Sequence, residues 1–194
     1  MSMPAAEPLA QGLSGALWPS PEAVELLHWN VAAFWSGEWW RAWTHVVVHA
    51  DVWHLAGNLV AVAALAVLWA QVGLVGRRAA WHALGLWAGY GLLCLGWPGP
   101  AWGASGLLHA ATAWGALLAL DQSRNTSPWG GWLSFGGALT LALWLKVGLE
   151  AYLDLPGLAW GLHLSGLLCA GIGAEAADAF ARWRGASEQQ RAGA

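Results

Sequence analysis

Ser105 stands in Gly103-Ala104-Ser105-Gly106 at the head of an apolar run, and His109 follows it by four residues. A serine hydroxyl is a weak nucleophile and attacks a carbonyl only when a base within hydrogen-bond reach takes its proton. Imidazole suits that task near neutral pH. Histidines 45, 49, 54, 109 and 163 all lie in or beside apolar stretches, where polar side chains are costly and usually functional. His163 is the expected base, because Gly106 and Gly166 would let its helix pack closely against the one that carries Ser105. An acyl transfer also needs donors for the oxyanion of its tetrahedral intermediate. His54 and Asn58, four apart on one helix face, supply side-chain donors. Ser105 supplies its own amide, which has no intrahelical partner in a first turn, and Gly103 belongs to the same region. No aspartate or glutamate is obviously placed to orient His163, so the expectation is a Ser105–His163 dyad.

Each residue also has a plainer use. Small residues at such spacing let helix backbones approach, and a histidine or asparagine in an apolar helix commonly bonds to a neighbouring helix. What favours chemistry is their conjunction. A metal is the competing chemistry: His45, His49 and His54, with Asp51 as an oxygen ligand, have usable spacings. However, His45-Val46-Val47-Val48-His49 lacks the glutamate of a zinc-peptidase HExxH helix, and no cysteine is near. No metal and no other cofactor is expected.

The elements that must position these groups read as membrane helices. Of 194 residues, 58% are hydrophobic and 10% are charged, against about 25% charged in an ordinary soluble domain. A net charge of -3 with no basic stripe argues against nucleic acid. The 18 tryptophans suit membrane interfaces and helix contacts. Cys94 and Cys169 read as packing residues, and the N-terminus lacks the basic and apolar regions of a cleavable signal peptide.

Spans are expected at 52–74, 79–97, 104–120, 131–149 and 157–176. Within 1–27, the partly apolar stretch 9–18 is either a weak first span or an interfacial helix. The stretch 27–51, with Trp35, Trp39, Trp40 and Trp43, reads as a non-spanning interfacial segment, residues 150–156 as a short acidic loop, and 175–194 as a charged, frayed or disordered stretch whose residues 177–194 form a cytoplasmic tail. The expected fold class is an all-α polytopic membrane protein with six spans, the first one weak or degenerate, or five if residues 1–27 do not span, and residues 28–176 form the catalytic membrane domain. Arg77, Arg78, Arg124, Arg182, Arg184 and Arg191 fall on one side of the alternating spans, while Arg41 and Lys146 fall on the other. The positive-inside rule places the first set in the cytoplasm. His54, Asn58, Ser105 and His163 then converge toward the outer face.

The pattern Glu38-Trp39-Trp40-Arg41, His45, His49, His54-Leu55-Ala56-Gly57-Asn58, Gly103-Ala104-Ser105-Gly106 and His163-Leu164-Ser165-Gly166 resembles the rhomboid intramembrane serine proteases over roughly residues 35–171. The resemblance implies a rhomboid-like helical bundle with Ser105 as nucleophile and His163 as general base. It also implies an oxyanion hole of His54, Asn58 and the Ser105 amide, and a membrane-embedded first loop containing Trp40 and Arg41. Many bacterial rhomboids have a tyrosine four residues after the serine, stacked on the catalytic histidine, where this chain has His109. With the short chain, that departure resembles the rhombosortase branch, which removes GlyGly-CTERM tails from exported proteins: a glycine-rich motif, an apolar helix and a basic end. His109 would stack on His163, take part in proton transfer, or simply replace the tyrosine ring in packing. Also implied are transmembrane protein substrates with such tails, the lipid bilayer as partner, and a bacterial inner membrane with the site on the outer side. The alternatives are a general rhomboid protease for other single-span proteins and a catalytically silent binder of membrane helices.

Overall fold

The computed structural model describes residues 20–49, 51–124, 135–153 and 160–192. The expected weak span at 9–18 lies outside them. The described chain is helical: α1 (Pro21–Leu27), α2 (Val31–Trp35), α3 (Arg41–Thr44), α4 (Val52–Gln71), α5 (Gly76–Leu93), α6 (Ser105–Arg124), α7 (Phe135–Leu153) and α8 (Trp160–Ala192), with short 3-10 turns at His45–Val47 and Cys94–Gly96. Among the described residues the β-pairing is one isolated bridge, Trp29 with Ala101.

The serine-bearing α6 is the hub. It packs against α4, α5, α7 and α8, and α8 also touches α5 and α7. The contacts are close where glycines face each other. A Cβ on Gly166 of α8 would collide with the Gly106 carbonyl and lie 3.0 Å from the Ala110 amide nitrogen. A Cβ on Gly136 of α7 would sit 2.7 Å from the Ala116 carbonyl oxygen near the other end of α6. Close backbone approach at small residues is how helices associate where lipid removes the hydrophobic drive between them.

Polarity is inverted relative to a soluble protein. Arg41, His45, His49, Asn58 and His163 are buried. Val60 is 70% exposed, Trp53 81% and Leu145 64%, among many other apolar side chains on the outside. Apolar surface on this scale belongs against a partner or lipid. Among the described residues one helix, α4, is long and apolar enough to cross a membrane by length and composition.

Two expectations change. The segment 150–156 is not wholly a loop, because α7 continues through Glu150 to Leu153. Its Lys146 and Glu150, four apart, pair on one helix face, which supports a further turn. The tail is not frayed in its backbone either: α8 runs unbroken to Ala192, through a stretch rich in Ala, Glu, Gln and Arg, which are strong helix formers.

Candidate active site

The site is built outward from the segment that precedes α4. Trp29 is fully buried. Its backbone pairs with Ala101, and its indole N–H donates to the Trp97 carbonyl at 3.0 Å. This fixes the 97–103 connection that delivers the chain to Ser105. Gly103 then turns with φ +97°, a conformation that a Cβ disfavours. Its amide donates to the His45 carbonyl at 2.9 Å, and its open side is filled by the His54 ring. Ser105 follows as the first residue of α6.

The Ser105 hydroxyl lies 3.1 Å from His163 Nε2, so the serine proton has an acceptor in place. The other ring nitrogen, Nδ1, is 2.7 Å from Oε2 of Glu150. A carboxylate can only accept, so Nδ1 carries the hydrogen and Nε2 presents its lone pair to the serine. This corrects the expectation that no acidic residue orients His163. Glu150 reaches it because the last turn of α7 stays helical and packs beside α8.

His109 lies over His163 with ring centroids 4.1 Å apart and planes 17° apart, a stacked pair. Its Nδ1 is 2.6 Å from the Ser105 carbonyl oxygen, which only accepts, and its Nε2 is 3.1 Å from the Lys146 ammonium, which only donates. His109 is thus a neutral ring with both nitrogens engaged. Lys146 also pairs with Glu150. Sequence reasoning missed Glu150 and Lys146. The signal available was their four-residue spacing across the assumed end of a helix.

His54 and Asn58 lie on α4, whose N-terminus is capped by Asp51 accepting from the His54 amide at 2.8 Å. The Asn58 side-chain amide donates to His49 Nε2 at 2.7 Å, and His49 meets His54 edge-to-face at 5.1 Å. An amide NH₂ has two hydrogens, so this bond orients Asn58 and leaves it a second donor. His49 is held below the ordinary histidine range, first by burial and then by the nearby His54. It is therefore neutral and able to accept. His45, fully buried, is pushed down to about 4 by burial. Its ring nitrogens face the Arg41 carbonyl at 3.0 Å and Cys94 Sγ at 3.8 Å. His45 and His49 thus spend their nitrogens on different partners.

Trp40 and Arg41 bond elsewhere than to Ser105 and His163. Arg41 donates to Glu38 at 2.6 Å, to the Glu25 carbonyl at 2.6 Å and to the His28 carbonyl at 3.0 Å. Trp40 donates to the Leu26 carbonyl at 3.3 Å. Both tie α1 to α3 and so brace the segment that carries His45.

Such an arrangement can perform acyl transfer: a serine with an oriented base, first-turn amides beside it, and imidazole and amide donors on the adjoining helix. A family model described as Rhomboid domain matches residues 36–176. No curated protein and no solved structure matched the chain.

Proposed function

The chain belongs to the Rhomboid family, whose members are integral membrane proteins and serine intramembrane proteases, and from that premise we propose that it is an active endopeptidase with Ser105 as nucleophile and His163 as base. The observation that carries this reading is the 3.1 Å approach of Ser105 Oγ to His163 Nε2 at the head of the central helix. His163 takes the hydroxyl proton while Oγ bonds to the scissile carbonyl carbon. The resulting oxyanion is held by the Ser105 amide, His54 and Asn58. As the C–N bond breaks, the leaving nitrogen receives that proton from His163. Water then attacks the acyl-serine ester, with His163 again accepting a proton and returning one to Ser105.

The substrates in this reading are transmembrane proteins with the GlyGly-CTERM type of tail. Support comes from His109 in place of the tyrosine. Glycines next to a substrate's apolar helix unwind easily, which exposes a carbonyl to Ser105. The chain in this reading crosses a bacterial inner membrane with the site outward, its spans being α4 to α8 together with the weak segment near the N-terminus. The distribution of arginines supports that orientation.

Co-expression with two reporters tests the substrate class. One ends in a Gly-Gly, apolar-helix, basic tail and the other carries an ordinary single span. Trimming of the first, lost when its glycines become leucines, is the expected result. Cleavage of the second alone would leave the chemistry and remove the sorting role.

A further inference from the structure

We propose that Glu150, held by Lys146, is a positioning residue that turns the Ser105–His163 pair into a carboxylate-backed triad. The inference rests on the catalytic reading above. It starts from geometry: the 2.7 Å contact to His163 Nδ1, a Glu150 side chain only 11% exposed, and the ion pair with Lys146 one helical turn earlier.

The chemistry follows from what each atom can do. The Glu150 carboxylate fixes the Nδ1–H tautomer and the ring plane. When the serine proton reaches Nε2, the ring becomes an imidazolium in a buried position, where a fixed opposite charge counts for more than it would in bulk solvent. The carboxylate keeps its charge throughout; only the Oγ–Nε2 proton moves.

Among the described residues, the remaining charged and titratable groups facing His163 are His109 on α6, Lys146 on α7 and His54 on α4. His109 is neutral for the reason given above and cannot relay a proton, because both its nitrogens are occupied. Its part is a flat face that keeps His163 from rotating. Lys146 does two things: it anchors Glu150, and by donating to His109 it keeps that ring uncharged. Its cation also offsets part of the carboxylate's field at His163. The two α7 side chains therefore act on the base with opposite sign.

The test uses the full chain in detergent and measures labelling by a fluorophosphonate across pH for wild type, Ser105→Ala, Glu150→Gln and Lys146→Met. Labelling of wild type and its loss in Ser105→Ala establish the underlying catalytic reading. If wild type is unlabelled, or Ser105→Ala is labelled equally, that reading fails and takes this inference with it. Given a labelled wild type, Glu150→Gln slows labelling at neutral pH by at least about tenfold, because an amide can donate to Nδ1 and select the wrong tautomer. Its half-maximal labelling also moves to lower pH. Lys146→Met moves it to higher pH. Lys146 is 48% exposed, so that variant reads out the effect even if Glu150→Gln does not accumulate. Wild-type pH dependence in Lys146→Met, or wild-type rate and pH dependence in Glu150→Gln, would overturn the proposal.

Discussion

Gly166 of α8 lies against the backbone of Gly106 of α6 so closely that a side chain on Gly166 would overlap the Gly106 carbonyl. On the other side, a Cβ on Gly106 would collide with the Tyr90 hydroxyl and come within 2.8 Å of the Leu162 carbonyl oxygen. The Ser105–His163 distance is therefore set one residue beyond the serine and three beyond the histidine.

Gly166→Ala forces backbone apart, since the obstructing atom is a carbonyl and not the end of a flexible side chain. Overpacking of this kind costs about 1–3 kcal/mol. Thermal unfolding in detergent should show a lower midpoint. The rate of serine labelling should fall as well, because separating α6 from α8 lengthens the Oγ–Nε2 contact. Unchanged values for both would mean that the helices do not meet at these glycines.

Asn58→Ala and His54→Ala are expected to lower kcat by about 10²- to 10³-fold, the usual cost of losing an oxyanion donor, with little change in KM. His49→Ala should produce a smaller loss of the same kind, because His49 orients Asn58 through the 2.7 Å bond and does not itself meet the oxyanion. A rise in KM at constant kcat would assign these residues to substrate binding.

His45 makes the fold sensitive to acid. It lies in the 3-10 turn before α4, and burial holds it near 4 against an ordinary 6.5. Between those values the unfolded chain binds a proton that the folded chain refuses, so stability increases with pH there. The contribution is fully present above about 6.5 and is lost as pH falls toward 4, on the order of 3 kcal/mol in total. Melting midpoints at pH 7.5 and pH 5 should differ less in His45→Gln than in wild type. An equal difference in the two proteins would show that His45 does not titrate in this way.

Much of the site was legible in the sequence because its chemistry is local. Ser105 opens a helix after a glycine, His54 and Asn58 share a face by their spacing, and His163 needed only a glycine three residues on to approach α6. His109 was legible as a residue of the site, with stacking one of three roles left open. Glu150 was not. Hydropathy ends the span just before Glu150, whereas the backbone hydrogen bonds of α7 continue to Leu153. Lys146 and Glu150, four apart, offset each other's charge and allow the helix to go on. The same error of equating the end of apolarity with the end of helix hid the continuation of α8 to Ala192. The packing of α6 at the hub of the bundle was not legible either, because its contacts with α4, α5, α7 and α8 are tertiary and leave no period in one segment.

The central claim is that Ser105 and His163 together cut a peptide bond within a membrane. Its most direct measurement is cleavage of the Gly-Gly, apolar-helix, basic-tail reporter in liposomes by purified wild type, Ser105→Ala and His163→Ala, with each variant's fold checked by its melting midpoint. The account predicts a trimmed product from wild type and none above background from either variant, a loss of at least about 10³-fold. Equal product from wild type and a folded Ser105→Ala variant would contradict it.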